Sequence, residues 1–188
     1  MIIGFTGNMG AGKTTAARHL KMILPHGGSF ESRSFAKPLK NMLRAYYESV
    51  GLTPEEIERR IGGDLKENSD PYLMGRTPRH AMQTLGTEWG RGFLHPDFWV
   101  EAAFLKPIAT GQHIIFDDVR FPNEAEAIQK RGGVVIRVFR PRQELHDSGF
   151  HPSEKQEFDA DHVIINSGSI SDLHEQLSTL SRRMNLTR

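Results

Sequence analysis

Residues Gly7 to Thr14, which read GNMGAGKT, constrain the fold of this chain more than any other stretch. They match the spacing G-x-x-x-x-G-K-[ST], in which glycines let the backbone turn tightly and bring N–H groups against phosphate oxygens. In such a loop Lys13 would reach the terminal phosphates of a nucleotide, and the Thr14 hydroxyl would hold Mg²⁺. The alternative is a glycine-rich turn that binds nothing.

The sequence on either side of the loop favours the phosphate-binding interpretation. Residues 2–6 form a short apolar run, as expected for a buried parallel strand, and residues 14–23 carry apolar side chains at helical spacing. Strand, loop and helix are the elements that the motif requires, so ATP and Mg²⁺ are the predicted ligands. The predicted nucleotide contacts in this stretch are Asn8, Met9, Gly10, Ala11, Gly12, Lys13, Thr14 and Thr15.

Composition excludes several classes of protein. The net charge of the 188-residue chain is +1, so bulk nucleic-acid binding is not expected. The chain has no cysteine, which excludes disulfides and fits a reducing compartment. Its N-terminal apolar run is too short for a signal peptide, and no stretch approaches the roughly 18 apolar residues of a membrane span. We therefore expect a soluble, cytoplasmic protein without nucleic-acid or membrane partners.

Strands and helices alternate at the two ends of the chain. Strands are predicted at 113–116, 134–139 and 162–165, with helices at 122–131 and 171–183, and this alternation predicts a parallel sheet with helices on both faces. The middle of the chain is helical instead and suggests an insertion that binds substrate. Its predicted helices span 37–50, 54 to about 62, 77 to about 89, and 97 to about 106.

Acidic and basic side chains follow the apolar strand at 113–116. Asp117 or Asp118 is predicted to hold Mg²⁺, because this strand end is where phosphate-binding-loop enzymes place such a carboxylate, and the other could orient substrate or Arg120. Arg120 could clamp a phosphate through its planar guanidinium group. The alternatives are a carboxylate that caps a turn and a surface salt bridge between Arg120 and Glu124.

The block from Thr77 to Arg91 is unusual for an ordinary helix. Arg79 and Gln83 are four residues apart and share one helix face, so together they could hold a phosphate and the edge of a base. Arg91 could be another phosphate contact or a charge at a helix end. The alternative for Arg79 and Gln83 is a solvated polar face.

Three further side chains are candidates for substrate contact. Trp89 and Trp99 are the only tryptophans, and either could stack on a base or pack in the core. Trp99 is the one assigned to the substrate. Lys37, immediately before a proline, could meet a substrate phosphate or lie at the surface.

Two later connections could contact the nucleotide. Arg140 and Arg142 follow a strand and could close over the transferring phosphoryl group, while Arg140 could equally stack on adenine. The segment that contains Asn166 and Gly168 follows the last strand and could touch the adenine ring. Its alternative is an ordinary turn before the last helix.

The chain resembles the nucleoside monophosphate kinases, and more closely the deoxynucleoside monophosphate kinases of bacteriophages. The resemblance covers nearly the whole chain and is most specific in two blocks, 77–91 and 117–124 (DDVRFPNE). Residues 7–14, 34–40 (SFAKPLK) and 160–166 (ADHVIIN) also carry it. The end of the chain is similar to dephospho-coenzyme A kinase as well, which supports the fold more than the substrate.

This resemblance implies the P-loop NTPase fold with a five-stranded parallel sheet. It implies one domain with a core at about 1–29 and 108–188, a monophosphate-binding insertion at about 30–107 and a lid at about 141–160. The implied reaction transfers the ATP γ-phosphoryl group to a (deoxy)nucleoside monophosphate. The alternatives are a kinase of another small acceptor, such as dephospho-coenzyme A, and a nucleotide-binding regulatory module. A homodimer is compatible with the resemblance.

The motifs, taken together with the resemblance, assign roles to the candidate residues. Lys13, Arg120, Arg140 and Arg142 would stabilise the transferring group, Thr14 and Asp117 would hold Mg²⁺, and Asn166 and Gly168 would contact the nucleotide. The implied substrate contacts are Lys37, Arg79, Gln83, Arg91, Trp99, Asp118 and Arg120. Base preference, sugar preference and the cation that reaches the transition state stay open at this point.

Overall fold

A parallel sheet of five strands forms the centre of the computed structural model, which describes residues 1–23, 30–141 and 158–184. The strand order is β2-β3-β1-β4-β5, so the strand that precedes the glycine-rich loop lies in the middle. The strands are β1 (Ile2–Thr6), β2 (Phe30–Arg33), β3 (His113–Phe116), β4 (Val134–Phe139) and β5 (His162–Ile165). The predicted five-stranded parallel sheet is confirmed.

The register brings the carboxyl ends of the strands to one edge. In β1, Ile3 pairs with Ile115 of β3 and Gly4 with Val135 of β4, and all five residues of β1 are buried. Since all strands are parallel, the segments after β1, β3, β4 and β5 leave the sheet on the same side. Ligands of open α/β sheets bind at this edge.

Helices cover both faces of the sheet. The first helix, α1 (Lys13–Ile23), and the last, α7 (Ile170–Arg183), pack with Ile3 and Phe5 in one apolar core. Helix α6 (Pro122–Gln129) covers the opposite face, where a Cβ atom built on Gly4 would lie 2.6 Å from Cδ1 of Ile128. Helices on both faces were predicted, and the packing confirms them.

The chain divides into two compact units, which we call the sheet unit (1–35 and 106–188) and the helical unit (36–105). The helical unit starts after the expected position of about 30, because β2 pairs with β3 and so belongs to the sheet. Its helices are α2 (Lys37–Ser49), α3 (Pro54–Ile61), a 3₁₀ turn (Pro71–Leu73), α4 (Pro78–Thr84), a π-helix (Leu85–Leu94) and α5 (Phe98–Phe104). Most of the expected lid, 141–160, lies outside the described residues.

The helical unit has its own apolar core, which includes Leu43, Tyr47, Ile57 and Trp99. The helix predicted from 77 to about 89 is an α-helix only to Thr84 and then continues as the π-helix. Trp99 contacts the π-helix at two points. Its Nε1 donates to the Gly86 carbonyl at 2.7 Å, and its ring occupies the space that a Cβ atom at Gly90 would need. No helix among the described residues is long and apolar enough to cross a membrane.

Candidate functional site

The loop between β1 and α1 has the geometry of a phosphate cradle. Gly7, Gly10 and Gly12 have φ angles of 137°, 77° and 105°, which residues with a side chain rarely adopt. Lys13 is the first residue of α1, and its Nζ donates to the Gly7 and Asn8 carbonyls at 2.5 and 2.8 Å. The ammonium group therefore lies against two carbonyls of the loop, and Lys13 itself opens α1, whose N-terminus is the kind of helix end that favours anions.

Side chains from two neighbouring strand ends hold other carbonyls of the loop. Arg140, which follows β4, places Nη1 3.5 Å from the Gly10 oxygen. Asn166, which follows β5, donates from Nδ2 to the Ala11 oxygen at 2.8 Å. Both residues were predicted near the nucleotide, and the structure places both beside the loop. Arg142 lies outside the described residues.

Thr14 and Asp117 form a donor pair suited to Mg²⁺. The Thr14 hydroxyl donates to Asp117 Oδ2 at 3.1 Å, which joins the start of α1 to the end of β3. Both groups are hard oxygen donors, and Mg²⁺ is typically held by one or two protein oxygens together with phosphates and water. The two residues predicted to hold the metal are thus adjacent in the structure.

Asp118 contacts the segment after β2, whereas Asp117 contacts the start of α1. Its Oδ2 accepts from the Ser34 hydroxyl at 2.5 Å, and its Oδ1 accepts from the Phe35 N–H at 3.1 Å. The carboxylate therefore fixes the segment that follows β2. This favours the alternative of a carboxylate that caps a turn over the predicted contact with substrate.

Glu124 organises the backbone around Arg120. Glu124 is 2% exposed, and its carboxylate accepts from the N–H groups of Arg120 and Phe121 at 2.7 and 3.1 Å. The buried carboxylate caps the first turn of α6 and fixes the backbone that carries the arginine. The salt bridge between the two side chains stays the alternative for Arg120.

The candidate cations of the helical unit have partners of their own. Arg79 lies in the first turn of α4, and its Nε donates to both carboxylate oxygens of Glu67 at 2.6 and 2.7 Å. Arg91, in the π-helix, donates from Nη1 to the Pro96 carbonyl at 2.9 Å. Gln83 lies one turn after Arg79, as predicted, and Lys37 is exposed at the first position of α2.

The two tryptophans differ in exposure. Trp99 is 2% exposed and packs edge-on against Phe98, so it has no open face for a base, and the predicted stacking role is not supported. This is the core-packing alternative. Trp89 is 37% exposed.

The helical unit contains a buried polar network around Asp70 that the sequence did not predict. Asp70 is 3% exposed, forms an ion pair with Arg60 at 3.0 Å and accepts from the Tyr47 hydroxyl at 2.7 Å. Burial, followed by the hydrogen bond to Asp70, raises the pKa of the Tyr47 phenol far above its usual value. Asp70 lies in a stretch without periodicity, so only its position before Pro71, as in a helix cap, could have signalled it.

Glu67 and Ser34 are the other site residues that the sequence did not reveal. Glu67 precedes its partner Arg79 by 12 positions, a spacing without any local pattern. Ser34 belongs to the block 34–40 that carried the family resemblance, and this was its only signal.

Comparison with known proteins gives one consistent description. A family model for deoxynucleotide monophosphate kinase matches residues 65–177. A protein of Acanthamoeba polyphaga mimivirus that bears the same name is 33% identical and covers 94% of this chain, with 94% of its own length matched. The deoxynucleoside-5'-monophosphate kinase of Escherichia phage T5 is 27% identical over 66% of this chain and 48% of its own length.

Among solved structures, the shikimate kinase of Aquifex aeolicus aligns with 98% of this chain and 98% of its own. The TM-score is 0.43 and the sequence identity is 14%.

Proposed function

Because this chain belongs to the deoxynucleotide monophosphate kinase family, we propose that it transfers the γ-phosphoryl group of ATP through the residues assembled at the carboxyl edge of its sheet. A kinase of this family is a phosphotransferase that takes ATP as donor and a deoxynucleoside monophosphate as acceptor. The observation that carries the assignment of the donor site is the loop from Gly7 to Thr14, with Lys13 across its carbonyls and Thr14 against Asp117.

The donor triphosphate lies on this loop in the proposal. Loop N–H groups and the α1 N-terminus bind the phosphate oxygens, and Lys13 exchanges its contacts with Gly7 and Asn8 for the β- and γ-phosphates. Thr14 and Asp117 would hold Mg²⁺, which would neutralise part of the phosphate charge. Arg140 and Gly168 stay proposed contacts of the nucleotide, as do the remaining loop residues.

Phosphoryl transfer then depends on position and charge. A monophosphate acceptor is already anionic at neutral pH, so its oxygen needs no strong general base before it attacks the γ-phosphorus. Cations that contact the equatorial oxygens stabilise the charge of the transferring group. We assign this role to Lys13, Arg120 and Arg140. Arg142, assigned with them from the sequence, lies outside the described residues.

The helical unit supplies the acceptor contacts in this proposal. Arg79 and Arg91 are assigned to the acceptor phosphate, and Gln83 to the edge of its base, because an amide both donates and accepts. For Arg79 the support is the contact of its Nε with both carboxylate oxygens of Glu67, since a guanidinium group that holds one anion can also hold a phosphate. Lys37 is a further proposed phosphate contact.

An acceptor screen tests the proposal. ADP formation from ATP and Mg²⁺ is measured with dAMP, dGMP, dCMP and dTMP, with the four ribonucleotides, and with dephospho-coenzyme A. We expect ADP to form only when a deoxynucleoside monophosphate is present. Turnover with dephospho-coenzyme A alone would overturn the substrate assignment, and tight ATP binding without any transfer would favour a regulatory module.

A further inference from the structure

We propose that Asn166 is a positioning residue for the phosphate-binding loop and supports every triphosphate donor to the same extent, whatever its base. The proposal rests on the proposed function in one respect, namely that the loop from Gly7 to Thr14 is the donor site. It differs from a role for Asn166 in contact with adenine, which would make the effect specific for ATP.

Asn166 lies where the last strand ends, and its polar side chain is buried. Its backbone N–H donates to the Phe139 carbonyl at 2.7 Å and so extends the pairing of β4 and β5 by one step. The residue is 8% exposed, whereas Ile165 immediately before it is 50% exposed. A buried amide costs free energy unless it is hydrogen-bonded, and this one donates to the Ala11 carbonyl at 2.8 Å.

That hydrogen bond sets the direction of a peptide plane in the loop. In a trans peptide the C=O and the following N–H point in opposite directions. When Asn166 holds the Ala11 oxygen, the N–H of Gly12 is directed away from Asn166. Gly12 is the second glycine of the phosphate-binding motif, and its N–H is one of the groups expected to bind phosphate.

Gly12 is also a residue whose conformation such a contact can support. Its φ angle is 105°, and a glycine reaches many other conformations when the loop has no ligand. A Cβ atom at this position would lie 2.8 Å from Asn166 Nδ2 and 3.5 Å from Leu173 Cδ2, so the amide and the leucine fill the space beside the glycine. The contact restricts the empty loop to one conformation and lowers the ordering cost of binding.

The burial of Asn166 argues against contact with a base. A base-reading amide presents its polar atoms to the ligand, but this side chain is 8% exposed and faces the loop backbone. The ligand class that depends on Asn166 is therefore the polyphosphate chain.

The test compares Asn166→Ala with the matched variant Gln176→Ala. Gln176 of α7 also donates from a side-chain amide to a backbone carbonyl, that of Ile165 at 3.0 Å, at the same end of β5 but without contact to the loop. Dissociation constants for ATP, GTP and inorganic tripolyphosphate, each with Mg²⁺, are measured by calorimetry for the wild type and both variants. Thermal unfolding without ligand is recorded for all three proteins.

We expect Asn166→Ala to raise the dissociation constants of all three ligands by a common factor of about five, the value of one ordinary hydrogen bond. Gln176→Ala should leave them unchanged. If the alanine variant folds poorly, Asn166→Ser replaces it, since serine keeps a polar group, adds no charge and is too short for the Ala11 carbonyl. If either Asn166 variant binds ATP as tightly as the wild type does, the proposal is overturned.

Two other results would also overturn it. Weaker binding of ATP alone would make Asn166 a base contact, and equal losses in the Asn166 and Gln176 variants would make its role general stability of the strand end. If the wild type itself binds none of the three ligands, the donor site fails and the proposed function fails with it. If the wild type shows normal acceptor-dependent turnover and the Asn166 variants bind all three ligands as it does, the role of Asn166 is refuted and the proposed function stands.

Discussion

The sheet unit and the helical unit hold their candidate functional side chains by different means. In the sheet unit, Lys13 and Asn166 donate to backbone carbonyls of one loop, and Asp117 meets Thr14 across two strand ends. In the helical unit, Arg79 holds Glu67, an exposed carboxylate. The proposed donor site thus rests on contacts to the backbone of the loop, whereas an arginine of the proposed acceptor site is held by an exposed side chain that an anionic ligand can replace.

This difference has an energetic consequence. The hydrogen bond from Asn166 persists because the Ala11 that accepts it is part of the apolar core of the sheet unit. An exposed ion pair contributes about 0–1 kcal/mol and is weakened by salt. We therefore expect changes in the sheet unit to affect the chemical step most, and changes in the helical unit to affect acceptor affinity.

The largest expected effect is that of Lys13→Ala. Loss of the ammonium group removes a cation from the transferring phosphoryl group, so kcat should fall on the order of a thousandfold. Steady-state ADP formation measures the change, and circular dichroism verifies the fold. Lys21→Ala is the control, since Lys21 lies on the same helix and contacts Ser32 instead of the loop. Wild-type turnover without Lys13 would remove the basis of the donor site.

Asp117 and Asp118 are neighbours in the sheet unit, and we expect them to have different roles. Asp117→Ala should raise the Mg²⁺ concentration for half-maximal activity roughly tenfold or more, because it removes a metal donor beside Thr14. Asp118→Ala should instead lower the free energy of unfolding by about 1–3 kcal/mol, since the N–H of Phe35 loses its partner. Mg²⁺ titrations and chemical denaturation separate the two. The same Mg²⁺ requirement in both variants would contradict the assignment of the metal to Asp117.

The sheet unit could be predicted from the sequence to a greater depth than the helical unit. Strands β3, β4 and β5 have the predicted boundaries, because short apolar runs between turns indicate strands in such an alternation. The parallel sheet then brings Asp117, Arg140 and Asn166 to one edge by topology alone. Their proximity to the loop therefore follows from spacing along the chain.

The helical unit depends on contacts that have no local pattern. The ion pair of Arg60 with Asp70 spans 10 positions and crosses a stretch without periodicity. The π-helix departs from the helical period just where Trp99 reaches Gly86, 13 positions earlier. Such contacts arise only when the unit is packed, which is why the sequence left both stacking on a base and core packing open for Trp99.

A third prediction compares two ion pairs within the helical unit. Arg79→Ala should raise the KM for the deoxynucleoside monophosphate about tenfold and leave the KM for ATP unchanged, because it removes a charge-assisted contact to the acceptor phosphate alone. Arg59→Ala is the matched control. Arg59 also holds a carboxylate, that of Asp64, at 2.7 and 3.0 Å, and has no proposed part in binding. If the KM for the deoxynucleoside monophosphate changes equally in both variants, Arg79 acts only through its surface charge and does not contact the acceptor.

The smallest expected effect concerns pH and stability, and it contrasts a buried histidine of the sheet unit with an exposed one of the helical unit. His19 of α1 is 8% exposed, stacks on His174 of α7 at 3.8 Å between ring centroids, and lies 3.1 Å from the Ser178 hydroxyl. Burial, with the neighbouring His174 as the second cause, lowers the pKa of His19 below its ordinary value of 6.5.

A lowered pKa means that the folded state binds this proton less readily than the unfolded chain does. The neutral imidazole therefore contributes stability above about pH 6.5, and the contribution is lost as the pH falls through the lower pKa of the folded state. Between pH 8 and pH 5.5, the Tm of the wild type should fall more than the Tm of His19→Gln, by about 2 °C or less. The exposed His80→Gln should follow the wild type. A His19→Gln variant that loses as much Tm as the wild type in acid would show that protonation of His19 does not destabilise the folded state.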